Sequence, residues 1–215
     1  MRPLWFRRAF LLLGMLLAPA TFVSAALPPS DATPPPETNP PADSLTGQLL
    51  VASPHIPDPR FQHTVILLIA HGREGTVGII INRPLGEQKL ARLLAATGED
   101  AAGVTGSVRV FAGGPVQPEI GFIVHSSEYR RPGTIAIDGQ IAVTADPTVL
   151  RDLGRGRGPR KSLVAFGYAG WAPGQLEAEM ARDDWFTVKE DPALVFDADR
   201  AKVWDLATAR RTLPL

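Results

Sequence analysis

Two aliphatic runs, Thr64–Ala70 (TVILLIA) and Thr76–Asn82 (TVGIIIN), constrain this chain more than any other feature. Each is apolar and largely β-branched at odd and even positions alike, so neither face of the strand it forms can look onto water. Both therefore belong in the middle of a sheet that is covered on two sides. Between them stand five polar or flexible residues, His71-Gly72-Arg73-Glu74-Gly75, suited to a hairpin loop with a bulge. The pair is expected to be antiparallel.

The rest of the pattern extends that sheet. Gln48–Ser53, Ser107–Ala112 (SVRVFA), Gly121–His125 and Ser162–Phe166 read as strands. Thr134–Ile137 and Gln140–Thr144 flank Asp138-Gly139, a strong two-residue hairpin signal. Glu87–Thr97 carries Leu90, Leu93 and Leu94 on one helical stripe and stops at Gly98. Asp146-Pro147 opens a helix to about Leu153, with aspartate as cap and proline at the first position. Pro173–Arg182 and Arg200–Arg210 read as helices, and Trp185–Val188 as a short strand or a loop. About seven strands and four or five helices in mixed order, with at least two hairpins, predict α+β: a compact single domain with a mixed or antiparallel sheet core flanked by helices.

The first 46 residues are of another kind. Arg2, Arg7 and Arg8 precede an apolar run from Ala9 to Val23, followed by the small residues Ser24, Ala25 and Ala26. About fifteen apolar residues fall short of a comfortable membrane span. The reading is a signal peptide over 1–25, with an uncleaved anchor or a misassigned start codon as alternatives. Residues 26–46 form a Pro-rich linker with prolines at 28, 29, 34, 35, 36, 40 and 41, where no packed face can form. The folded domain is expected over 47–215. Its predicted address is the periplasm or a membrane tether, and the apolar segment offers a transient membrane association.

Composition excludes several functions. The chain has no cysteine, so disulfides, thiolate catalysis and sulfur-ligated metals are out. Its 22 basic and 22 acidic side chains balance. Removing Arg2, Arg7 and Arg8 with Asp31, Glu37 and Asp43 leaves 19 of each in the domain, so no global charge draws it to nucleic acid. His55, His63, His71 and His125 lack zinc-helix spacing, and no metal or cofactor is called for. There is no Gly-x-Ser-x-Gly elbow, and Ser126 follows His125 on the opposite face of a strand. No catalytic residue is assigned.

Candidate ligand-binding residues remain. Gly113-Gly114-Pro115 after a strand either lets backbone amides approach a ligand or makes a tight turn. Asn82-Arg83-Pro84 and Asp58-Pro59-Arg60-Phe61 each join a rigid turn to an arginine. Tyr168, Trp171 and Gln175 surround a Gly-rich connection and line a cleft or cover the core. With His125 they complete the set Asn82, Arg83, Gly113, Gly114, His125, Tyr168, Trp171 and Gln175. Arg155-Gly156-Arg157-Gly158-Pro159-Arg160-Lys161 is the one basic cluster, either a solvated loop or a phosphate grip.

Several blocks strongly resemble the YqgE/AlgH family. They are Leu49-Leu50-Val51-Ala52, Asp58-Pro59-Arg60-Phe61, Val77-Gly78-Ile79-Ile80-Ile81-Asn82-Arg83-Pro84, Phe111-Ala112-Gly113-Gly114-Pro115-Val116, Gly121-Phe122-Ile123-Val124-His125-Ser126, and Gly167-Tyr168-Ala169-Gly170-Trp171 with Gly174-Gln175-Leu176-Glu177. The resemblance covers about residues 47–207. It implies an α+β domain with a β-sheet core, of no established biochemical activity, for which a transcriptional role has been proposed. It also implies a cytoplasmic address, from which the charged apolar start departs. Inside the motifs, Leu68–Gly72 lacks the family's acidic residue, Ile120 stands for an arginine, and Asp184 stands for an asparagine. The expectation is a non-enzymatic regulatory or protein-interaction domain with an unknown protein or small-molecule partner. The alternatives are a small-ligand binder or hydrolase-like enzyme with a site near the Gly-Gly-Pro turn, and a transcriptional regulator.

Overall fold

The computed structural model describes residues 44–211. The expected signal peptide and nearly all of the Pro-rich linker lie outside them. The chain runs β1 (Leu49–Ala52), β2 (Val65–Gly72), β3 (Gly75–Ile80), β4 (Pro84–Lys89), α1 (Leu90–Ala95), β5 (Ser107–Ala112), β6 (Val116–Ser126), β7 (Ile135–Ala136) and β8 (Ile141–Thr144). It continues through α2 (Thr148–Gly154), β9 (Ser162–Trp171), α3 (Gln175–Ala181), β10 (Trp185–Val188), a π-helical turn (Ala193–Asp197) and α4 (Val203–Thr208). One sheet has the order β10-β1-β2-β3-β9-β6-β8-β7, with β5 also on β9 and β4 on β5. Every pairing is antiparallel except β5 with β9. The fold is α+β, as the sequence predicts.

Alternation along the first strands explains why both faces are covered. Leu49 and Val51 join Val65, Leu67, Ile79 and Ile81 in the central core, which the π-turn and α4 close with Leu194, Val195, Val203 and Ala207. Leu50, Ile66, Leu68 and Ile80 point the other way, onto Leu176 of α3 and the indoles of Trp171 and Trp185. Farther along the sheet, Val110, Ile123 and Val164 pack on Leu90 and Leu94 of α1 and on Val149 and Leu150 of α2. Leu67 is fully buried, and truncating such a side chain to alanine costs about 2–5 kcal/mol.

Four local expectations are corrected. His71 pairs with Thr76 and Gly72 with Gly75, so the five-residue loop shrinks to a turn at Arg73-Glu74; the bulge falls inside β2, between Leu68 and Ala70. The helix expected from Glu87 begins at Leu90, because Glu87, Gln88 and Lys89 pair with Arg109, Val108 and Ser107 of β5. Cross-strand pairing of Glu87 with Arg109 here outweighs helix propensity. The Asp138-Gly139 hairpin is one residue longer than the two-residue form, since Ile137 N–H donates to Ile141 O and Asp138 Oδ1 accepts from Gln140 and Ile141. Arg200 precedes the last helix instead of starting it. Its buried guanidinium donates to the carbonyls of Leu194, Val195 and Ala198, which the π-turn leaves without helical partners.

Candidate functional site

The site is built where β9 changes neighbours. Ala112 at the end of β5 pairs with Phe166, whereas Gly78 of β3 pairs with Ala169. Gly113 bridges the switch: its N–H donates to Phe166 O (2.7 Å) and its carbonyl accepts from Ile80 N–H (2.8 Å). A Cβ on Gly113 would lie 2.4 Å from Gly167 O, and one on Gly114 would lie 2.0 Å from the Tyr168 carbonyl carbon. Both glycines are therefore spent on backbone packing. Of the two readings of the Gly-Gly-Pro segment, the structure shows neither a free Gly113 amide nor a hydrogen-bonded turn: the glycines let the chain pass close against the backbone of β9. No amide of Gly113 is left for a ligand.

Beyond those glycines the chain delivers Pro115 and Val116 to the wall of a cleft of about 230 Å³. Ile56, Pro57, Asp58, Arg60 and Phe61 supply a second part of the lining, and Trp171 at the end of β9, Gln175 and Glu179 of α3, Arg182 and Asp184 after that helix, and Trp185 at the start of β10 complete it. Phe61, Trp171 and Trp185 form an aromatic cluster: Phe61 meets Trp171 at 6.4 Å and Trp185 edge-on at 5.4 Å, and the two indoles meet edge-on at 5.7 Å. Glu179 organises it. Its Oε2 accepts from Nε1 of Trp171 (2.9 Å) and of Trp185 (2.8 Å), and its Oε1 accepts from Nε2 of Gln175 (2.9 Å). Burying two indole N–H groups requires such an acceptor.

Two ion pairs flank the aromatic floor. Arg60 forks onto both oxygens of Asp58, and that hydrogen bonding holds the Asp58 carboxyl below its usual range. Arg182 pairs with Asp184 at 2.8 Å. The arginines are the outer members: their side chains are 66% and 59% exposed, against 31% and 15% for the aspartates. The cleft thus sets two ion pairs around a largely buried aromatic cluster, and its three carboxylates outnumber its two guanidinium groups. Its lining contains no Ser, Thr, Lys or His.

The predicted candidates separate. Trp171 and Gln175 line the cleft, beside Gly113 and Gly114. Asn82 and Arg83 lie on a different surface with His63 and Trp204. There Asn82 Oδ1 accepts from Val65 N–H, Nδ2 donates to His63 O, and Arg83 donates to Gln62 O, so both hold the entry to β2 in place. Tyr168 packs edge-on against Phe122 of the central core. His125 is fully buried, its Nδ1–H donating to Ser126 O while Nε2 has no partner. Burial lowers its pKa and favours the neutral ring. Ser126 Oγ donates to Glu128, so no Ser–His pair forms. Among the described residues, no group of three or more His, Asp or Glu could hold a metal ion.

Glu179, Arg182 and Trp185 lie outside the set of candidates that the sequence suggests. Their signal is weak: Glu179 sits four residues after Gln175 on one helical face, but Trp185 reaches it only through β10 pairing with β1.

The family model described as AlgH-like matches residues 49–214. The chain belongs to the AlgH-like family. A UPF0301 protein from Jannaschia sp. (strain CCS1) is 44% identical over 165 residues, covering 76% of this chain and 86% of that protein. A second, from Methylococcus capsulatus, is 40% identical over 79% of this chain and 93% of its own length. The solution structure of the AlgH protein from Pseudomonas aeruginosa superposes with a TM-score of 0.67 at 35% identity, over 80% of this chain and 92% of that one. DIP2367 from Corynebacterium diphtheriae shares the fold, with a TM-score of 0.62 at 22% identity. The family fold thus comes with no assigned activity. Among the described residues, no helix is long and apolar enough to cross a membrane.

Proposed function

We propose that this domain is a non-enzymatic binding module with a regulatory or protein-interaction role, working through the aromatic cleft beside the Gly-Gly-Pro segment. The cleft itself carries the reading: an apolar wall that includes Phe61, Pro115 and Val116, rimmed by the ion pairs Arg60–Asp58 and Arg182–Asp184, suits a small ligand or peptide that combines an apolar face with polar groups able to bond to those pairs. Binding is favoured over catalysis because each carboxylate in the lining already accepts from a fixed donor. Glu179 serves two indoles, Asp58 serves Arg60, and Asp184 serves Arg182.

Direct nucleic-acid recognition is disfavoured by the state of the basic cluster. Arg160 pairs with Glu128, Lys161 pairs with Asp197, and Arg155 donates to Ala102 O. Export by the N-terminal segment belongs to the same proposal, supported by its arginines, apolar run and small-residue exit.

A thermal-shift panel of amphipathic carboxylates, nucleotides and peptides tests the cleft. A ligand at a hundred times its Kd adds about 2.7 kcal/mol of native stability, a rise of several degrees. Shifts that vanish in Phe61→Ala support the reading, and a flat panel refutes it. A mature N-terminus near Ala26 supports export, and full-length protein recovered in the cytosol refutes it.

A further inference from the structure

We infer that β4 is the docking edge for a second copy of this chain, joined by antiparallel pairing of the two β4 strands about a two-fold axis. β10, β7 and β4 each have a single neighbour among the described strands. β7 has two residues, and so short an edge offers little to pair with. β10 is covered: Trp185, Phe186 and Val188 are buried, and the Arg211 guanidinium lies 4.7 Å from the centre of the Phe186 ring. β4 is open. All of its residues are exposed except the half-buried Gln88, and Leu85 is 64% exposed, more than any other large apolar side chain among the described residues. None of them lines the cleft, so the two readings stand or fall separately.

The ladder with β5 shows which backbone groups face outward. Leu90 N–H donates to Gly106 O, and Lys89, Gln88 and Glu87 keep the same register against Ser107, Val108 and Arg109. Antiparallel pairs alternate between bonded and non-bonded, so Gln88 bonds inward to Val108. The N–H and C=O groups of Glu87 and Lys89 therefore point away from the sheet. Their side chains share one face of the strand. Glu87 stands opposite Arg109 and accepts from Ser107 Oγ at 3.2 Å. Neither Arg109 nor Lys89 has an ion-pair partner among the described residues.

Charge selects one register. With the axis opposite Gln88, Glu87 of each copy pairs with Lys89 of the other, and each pair exchanges both of its backbone hydrogen bonds. Glu87 then stands between Arg109 and Lys89 of the second copy, in a row of alternating charge. Moving the axis to Glu87 or to Lys89 sets like charges face to face. The chosen register also carries Leu85 to the first turn of the second copy's α1. A bulge between Pro84 and Gly86 ends the usable edge, so the interface is small and the dimer weak.

Small-angle scattering of the full chain between about 10 μM and 1 mM, the range of a small transient interface, reads the association. Amide hydrogen exchange at the upper end reads its location. The expected result is a concentration-dependent dimer in which the Glu87 and Lys89 amides gain protection, while Gln88, already bonded within the monomer, does not change. Lys89→Glu makes both cross-strand pairs repulsive and should weaken dimerisation about 10-fold. Combining it with Glu87→Lys restores opposite charges and should recover the native association; the new repulsion with Arg109 is common to monomer and dimer. Lys89→Pro tests the backbone alone. Lys89 has φ −67°, which proline adopts, and its N–H faces outward, so the monomer should keep its stability while the dimer is lost. A chain that stays monomeric across the range overturns the inference. So does a dimer that Lys89→Glu and Lys89→Pro leave intact, or one whose protection falls away from Glu87 and Lys89, as association through the N-terminal apolar segment would give. Weakening by Lys89→Glu that the double variant does not repair overturns it as well.

Discussion

Replacing Glu179 with alanine tests whether one carboxylate organises the cleft. The side chain accepts from the indole N–H groups of Trp171 and Trp185 and from Gln175, at 2.8–2.9 Å. The indoles are 6% and 3% exposed, so water cannot replace the lost acceptor without opening the cluster. An orphaned buried donor costs about 1–3 kcal/mol, and two of them set the expected loss at about 2–6 kcal/mol. Glu179→Gln keeps an oxygen for the indoles but confronts Gln175 with an amide, and should lose only about 1–2 kcal/mol. Urea unfolding followed by tryptophan emission measures both, with unchanged m-values showing that the difference lies in stability. Losses below about 0.5 kcal/mol for the alanine variant would refute the argument, because the indoles would then be satisfied without Glu179. Glu179→Leu separates the acceptor from packing: it keeps much of the volume without an oxygen, and should lose about as much as the alanine variant if the indole hydrogen bonds matter.

Gly114→Ala should cost about 3 kcal/mol or more by combining overpacking with a positive φ, whereas Gly139→Ala, with open space around its Cβ position, should stay within about 0.5 kcal/mol; calorimetry of both decides. Asn82→Ala should lose about 1–3 kcal/mol in the same unfolding assay, because Val65 N–H is left without its acceptor, and Asn82→Asp should lose less by keeping that acceptor. Burial, and then contact with Asp138, raises the Glu190 pKa. The native state therefore binds this proton more tightly than the unfolded one, and its contribution is present at acidic pH and lost as pH rises through the raised value. Glu190→Gln should raise Tm at neutral pH, with the gain fading as pH falls below the ordinary carboxylate range. Burial works against the Glu128 carboxylate, but the Arg160 N–H and the Ser126 hydroxyl outweigh it and bring its pKa down to about 2. Its stabilisation should be present above the ordinary value of 4.5 and lost as pH falls toward 2, an acid limb that Glu128→Gln should flatten in a thermal scan.

Local pattern carried the elements whose cause is local. The runs at 64–70 and 76–82 are buried on both faces wherever they sit in a sheet, and Asp146 caps the helix at Thr148 through its own side chain. Elements failed where the deciding partner is remote. Glu87, Gln88 and Lys89 have helical propensity, but strand β5, some twenty residues away, supplies the hydrogen bonds they take. The candidate site divided along the same line. Gly113 and Gly114 stand out in the sequence, yet nothing in it shows that the space above them is filled by the backbone of β9. Asn82, Arg83, His125 and Tyr168 carry chemistry that could serve a ligand, and tertiary contacts commit that chemistry to the scaffold. The cleft required the opposite step. Trp171 and Gln175 are readable near one another, but Glu179 becomes their organiser only because β10 brings Trp185 to its other side.

By itself the sequence determined the class of the fold, the absence of sulfur chemistry, and the neutrality of the domain, since periodicity and composition need no neighbours to be read. Which polar groups are spent on holding strands together, and which still face solvent around an aromatic floor, was decided by tertiary structure alone. A hydrogen-bonding group is available to a ligand only if no closer partner has taken it, and those partners are set by distance in space.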